Sequence, residues 1–181
     1  MMSRRSPAIW ALVLTGACGC AERPKAPPLV NDTVYQNDRI GLRFLAPDGW
    51  SLVTRADPPS SALPKPVILV AYQLSKGQSH SGLEVLAADL AEDADFGNFL
   101  IEHRIGAAVW TLKTPAETVS INGVEATRLT LTRQEKRAEM RREATAFRRG
   151  GRVYFFIITF AAGDYAARDA ARQSVLSVNW D

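Results

Sequence analysis

The chain has 181 residues, with 22 Lys and Arg against 19 Asp and Glu, two His and two Cys. That near-balance excludes the basic footprint of a nucleic-acid binder. Cys18 and Cys20 are two positions apart, too close to staple a domain, so no disulfide scaffold, thiol nucleophile or cysteine metal site is available beyond them.

The N-terminus reads as a secretory signal over 1–17. Ser3-Arg4-Arg5 is a short basic lead, residues 8–17 (AIWALVLTGA) are apolar or small, and Cys18 follows at once. The run is shorter than the roughly 20 apolar residues a mature membrane span needs. Small side chains before a cysteine (Gly16-Ala17-Cys18, or Cys18-Gly19-Cys20) resemble a bacterial lipobox, which implies a lipidated cysteine as the mature N-terminus. Cys18 is the preferred site and Cys20 the alternative. Residues 18–30 then carry the lipid and a tether in which Pro24, Pro27 and Pro28 favour extended conformation. A single domain is expected over 31–181, long enough to bury a substantial core. Without Arg4 and Arg5 the basic count falls from 22 to 20 against 19 acids, so the basic character of the whole chain owes much to the signal.

Residues 33–36 and 40–45 read as short strands, and Pro47-Asp48-Gly49 as a turn, because Pro presets φ and Gly accepts positive φ. Residues 50–54 read as the return strand. The stretch 56–66 holds four prolines and is expected as a surface loop. Residues 67–74 (VILVAYQL) form a β-branched strand, 75–81 a polar loop, and 83–90 (LEVLAADL) a strand with helix as the alternative. Asp95 is placed to cap a helix reaching about residue 105, with Phe96, Phe99, Leu100 and His103 on one face. Gly97 inside it costs about 1 kcal/mol relative to Ala.

Two hairpins follow. Asn122-Gly123 separates 117–121 from 124–132, and Gly150-Gly151 separates 139–147 from 153–161; such dipeptides suit type I′ turns. The run 153–160 (VYFFIITF) is apolar at nearly every position and predicts a central strand covered on both faces. Gly163-Asp164 opens a last helix whose Ala167, Ala170, Ala171, Ser174, Val175 and Val178 share a face. Strands, helix, strands, helix give an α+β fold: a mainly antiparallel β-sheet flanked by a few helices.

Residues 40–50 (IGLRFLAPDGW) resemble the G-x-x-F-x-x-P-x-G-W opening of the PsbP-like superfamily, a group that includes bacterial lipoproteins of unknown role. The Asn-Gly hairpin at 119–132, the apolar strand at 152–161 and the helix ending in Ser-Val-Asn-Trp are similar in order. The resemblance runs from Thr33 to the end of the chain. It implies an α/β/α sandwich, with no catalytic set to carry over; fold alone does not assign function.

Catalytic chemistry is sparsely signalled. Ser79 and His80 sit in Gly77-Gln78-Ser79-His80-Ser81-Gly82, where Ser81 takes the place of the second glycine of a nucleophile elbow. His103 reads as a structural histidine on an apolar face. Asp89, Glu92, Asp93 and Asp95 lack the spacing of a calcium loop and read as a solvated turn favouring the next helix N-terminus. No cofactor and no metal are expected. From Arg133 to Arg152 eight basic residues face three acids. Arg141, Arg142, Arg148 and Arg149 are the candidate contacts with a partner or with anionic lipid; the plainer reading is a pair of solvated hairpin ends. The leading functional expectation is a membrane-tethered, non-enzymatic binding or assembly module of a bacterial envelope. It is held by its N-terminal lipid, with an unknown envelope protein partner. The outer membrane is favoured because neither Gly19 nor Ala21 is a retaining aspartate. The alternatives are a secreted hydrolase around Ser79 and His80, or a binder of a small apolar ligand between sheet and helix.

Overall fold

The computed structural model describes residues 33–59, 61–76, 79–102, 109–135 and 138–181, with Lys76, Ser79 and His80 described by backbone alone. Cys18, Cys20, the signal, the Pro-rich segment and His103 lie outside the described residues.

The apolar run VYFFIITF becomes β9 (Arg152–Ala161), and its period of two decides the layering. Tyr154, Phe156, Ile158 and Phe160 enter one core; Val153, Phe155 and Ile157 enter another on the opposite face. A strand so apolar must be covered on both sides. β9 is the middle strand of a seven-stranded antiparallel sheet, β3-β4-β5-β9-β8-β7-β6. The other members are β3 (Ser51–Arg55), β4 (Val67–Lys76), β5 (Ser79–Asp89), β6 (Thr111–Ile121), β7 (Val124–Glu135) and β8 (Ala138–Arg149). The alternative at 83–90 resolves as strand, because Leu83, Val85 and Ala87 face one core while Leu86 and Ala88 face the other.

On one face lie helix α2 (Tyr165–Leu176) and a small sheet made of β1 (Val34–Asn37), β2 (Leu42–Leu45) and β10 (Asn179–Trp180), in the order β1-β2-β10. Phe44 of β2 meets Phe156 edge-on at 5.2 Å, and Ala171 and Val175 of α2 join that core. On the other face lies α1 (Phe96–Glu102). A seven-residue helix has little stability of its own. It is held by Phe99 stacked on Phe155 at 5.1 Å and Phe96 edge-on to the same ring at 5.4 Å. The fold is thus α+β in the α/β/α arrangement.

Both expected two-residue turns form. Ile121 pairs with Val124 and Arg149 with Arg152, and all four turn residues have positive φ. Asn122 has a second task, since its Nδ2 donates to the carbonyls of Leu176 and Val178, each at 2.9 Å, fastening this turn to the end of α2. Both helix caps are where the sequence places them. Asp95 Oδ1 accepts from Asn98 N at 2.9 Å, and Asp164 Oδ1 from Ala167 N at 3.1 Å. Gly97 has a steric reason: a Cβ there would lie 3.2 Å from the capping Asp95 Oδ1 and 3.6 Å from Leu112.

Three expectations change. Residues 50–54 do not return along β2; β3 pairs with β4 in the large sheet, so the Pro47–Gly49 turn carries the chain between sheets. The stretch 75–81 is not simply a loop, because β4 reaches Lys76 and β5 begins at Ser79, with Ser75 opposite His80 and Lys76 opposite Ser79. Polar side chains do not end a ladder whose bonds are all backbone. The hairpin strand before Asn122 begins at Thr111 rather than at Glu117. β6 is an edge strand, so Pro115 and two register irregularities are accommodated there.

Candidate functional site

The end of the large sheet near the Gly150–Gly151 turn is organised by one ion pair. Strand register sets Asp89, the last residue of β5, opposite Arg152, the first of β9. Arg152 Nε donates to Asp89 Oδ1 at 2.7 Å, and its other donors reach the carbonyls of Pro59 (3.4 Å) and Ser61 (3.1 Å). Asp89 Oδ2 accepts from the Leu63 amide at 2.6 Å. The pair thereby fastens the Pro-rich segment 56–66 to the sheet. The Arg152 hydrogen bond, followed by that from Leu63, holds the Asp89 carboxyl below the usual range.

Beside this staple lies a cleft of about 820 Å³, lined by Arg39, Ser61, Arg149, Gly150, Gly151 and Tyr154 among others. Arg149 donates through Nη2 to the main-chain oxygen of Asp181 at 2.7 Å, and its guanidinium lies 5.3 Å from the centre of the Trp180 ring. Arg39 is exposed; its backbone amide binds Asn37 Oδ1 at 3.2 Å, and its guanidinium has no partner among the described residues. Tyr154 is buried at the base, and loss of water pushes its phenol above the usual value.

The four arginines singled out in the sequence do not form one patch. Arg141 and Arg148 are seven positions apart on β8, which is about 23 Å of strand. Adjacent residues on a strand face opposite sides. Arg141 is paired with Glu139 at 2.7 Å, and Lys113 reaches the same oxygen at 2.8 Å, which brings the Glu139 carboxyl down to about 2. Arg142 is buried, 4.3 Å from the Trp110 ring centre, with Nε donating to Thr159 Oγ1 at 3.1 Å. Arg148 donates to the carbonyls of Leu90 and Ala91 at 3.0 and 2.8 Å and covers Phe96. Of the four, only Arg149 lines the cleft. Arg152, from the same run, and Arg39, which sequence reasoning missed, join it. The legible signal was Arg-Gly-Gly-Arg: a tight turn that delivers two guanidinium groups to one end of a sheet.

The remaining candidates are dispersed. Ser81 is buried with its Oγ 3.5 Å from Asp164 Oδ2, so it supports the α2 cap. Asp95 caps α1 and Asp89 belongs to the staple. Among the described residues no group of three or more His, Cys, Asp or Glu could hold a metal. Glu84, on the α1 face, lies near Arg142. Burial raises its carboxyl above the usual range against the pull of that guanidinium, and Oε2 is buried without a hydrogen bond.

No family model and no curated protein matches the sequence. Among solved structures the chain superposes on the solution structure of cyanobacterial PsbP (CyanoP) from Synechocystis sp. PCC 6803 with a TM-score of 0.56 and 15% identity, covering 86% of this chain and 97% of that one. A protein of unknown function from Pseudomonas aeruginosa gives a TM-score of 0.46 at 15% identity, over 80% of this chain and 93% of that one. A Bacteroides thetaiotaomicron structure gives 0.44 at 10% identity, over 78% and 45%. The first match shows the fold, which is PsbP-like; the other two carry no argument.

Proposed function

We propose that this chain is a lipid-tethered, non-enzymatic binding module of a bacterial envelope, with the Arg39–Arg149–Arg152 cleft as its contact site. The observation that carries the reading is the cleft itself. It has a volume of about 820 Å³, and guanidinium groups and a glycine turn line it in place of a nucleophile with its base. The signal and cysteine pattern at 1–20 supports the tether, and the 18–30 segment gives the domain reach from a surface. A PsbP-like fold is compatible with a role in binding or assembly and does not choose a partner.

The test is site-specific photo-crosslinking in the living bacterium. A crosslinker replaces the exposed side chain of Ser61 in the cleft, or that of Thr118 on the far edge strand β6 as the control. A discrete adduct from position 61 and none from position 118, seen by gel shift or intact mass, supports the reading. Equal labelling at both positions removes the cleft from it.

A further inference from the structure

We infer that the cleft binds a phosphate-bearing ligand, held by the guanidinium groups of Arg39 and Arg149 and by the Gly150–Gly151 turn. This rests on the binding-module reading and assigns a ligand class to the same site.

Three arginines line the cleft against one acid, Asp89. That acid is consumed by Arg152 and the Leu63 amide, so the staple is locally neutral. The other two cations keep donors to offer. Arg39 has no side-chain partner among the described residues, and Arg149 commits Nη2 to the main-chain oxygen of Asp181. A guanidinium carries five N–H groups in a planar fork suited to phosphate oxygens. Two guanidinium forks suit the several oxygens of a phosphate group better than the two of a carboxylate.

The turn adds backbone donors. In a two-residue type I′ hairpin the central amides lie outside the ladder. Gly150 and Gly151, at φ 59 and 77, carry no side chain to keep an anion from them, and nothing lies within 4 Å of where a Cβ would be. The volume of about 820 Å³ exceeds a lone anion and falls within the range of small-molecule sites, roughly 300–1,000 Å³. Ile40, Pro58, Pro59 and Tyr154 supply apolar surface for the body of a phosphoester.

The probe is inorganic pyrophosphate, titrated calorimetrically into the full chain in lipid nanodiscs, with citrate as the carboxylate comparison. Saturable pyrophosphate binding, at least fivefold tighter than citrate, is expected. Arg39→Gln and Arg149→Gln should each weaken it at least fivefold, and Lys65→Gln, outside the cleft, should leave it unchanged. Arg39→Gln removes no internal bond, so lost binding there is not lost folding. No saturable heat up to 10 mM pyrophosphate (roughly the weakest affinity of interest), unchanged binding in both arginine variants, or citrate binding as tightly as pyrophosphate overturns the proposal. Discs with and without phosphatidylglycerol separate the ligand sources. A weaker apparent pyrophosphate affinity in phosphatidylglycerol discs assigns a lipid headgroup, and equal affinity assigns a soluble phosphoester. A position-61 adduct that persists while pyrophosphate fails to bind removes the phosphate and leaves the binding module; loss of both removes both.

Discussion

Asp89→Asn is the perturbation that most sharply isolates the cleft staple. Asp89 accepts two close hydrogen bonds, from Arg152 Nε at 2.7 Å and from the Leu63 amide at 2.6 Å. Asparagine keeps the shape but offers one acceptor oxygen, so its NH2 group must face one of those donors. A hydrogen bond to a charged group contributes about 1.5–3 kcal/mol. The Asp89 side chain is 30% exposed, and solvent screening reduces that figure. The expected loss is about 1–2 kcal/mol at pH 7, or about 2–8 °C in Tm for a domain of this size. The sign with pH follows from linkage. The folded carboxyl titrates below its unfolded value of 3.8, so its contribution is full above that pH and is lost as pH falls through the folded value. Urea unfolding of the two proteins should therefore show a gap at pH 7 that closes below pH 3.8. A double-mutant cycle with Arg152→Gln should return a coupling of similar size, about 1–2 kcal/mol. Equal urea midpoints at pH 7, or a gap that persists unchanged into strong acid, would refute the reasoning.

Asn122→Gly keeps a residue that tolerates φ 51 but removes both bonds to the Leu176 and Val178 carbonyls, so a loss of about 1–2 kcal/mol in chemical unfolding is expected. Hydrogen exchange should quicken at the end of α2, and unchanged exchange there would show that the turn does not fasten the helix. Glu84 has the opposite linkage to Asp89: its folded value is raised by burial, so its contribution is present below 4.5 and lost as pH rises through the folded value. Glu84→Gln, which imitates the protonated acid, should hold or raise stability at pH 7 and flatten the dependence as pH rises above 4.5. A clear loss at neutral pH would mean that attraction to Arg142 outweighs the cost of burial.

What was legible in the sequence was local or periodic. Asn122-Gly123 and Gly150-Gly151 specify their turns by backbone sterics alone, and Asp95 and Asp164 cap whatever helix follows them. The run at 153–160 announces two-sided burial because no polar residue is left for a wet face. Partner choice was less legible. Alternation at 40–45 and 50–54 tells which side chains point inward, not which strand lies alongside, so β3 joining β4 could not be read off. A two-residue strand such as β10 carries no period at all; its place comes from Trp180 packing on Tyr154 at 4.8 Å. The basic run misled in a related way. Composition counts charges, whereas strand geometry sends neighbours to opposite faces, so Arg142 packs under Trp110 while Arg141 pairs with Glu139. Arg39 was invisible because one exposed arginine in a turn has no pattern to betray it.

The measurement that bears most directly on the tethered-module reading is intact mass combined with membrane fractionation of the chain made in a bacterium, with Cys18→Ser and Cys20→Ser alongside. The expected result is a mature chain beginning at Cys18, heavier by a diacylglyceryl group and found with membranes, with both properties lost in Cys18→Ser alone. Loss in Cys20→Ser alone would move the anchor by two residues. A soluble, unmodified product cleaved near Ala17 would contradict the tether and leave a secreted PsbP-like domain in its place.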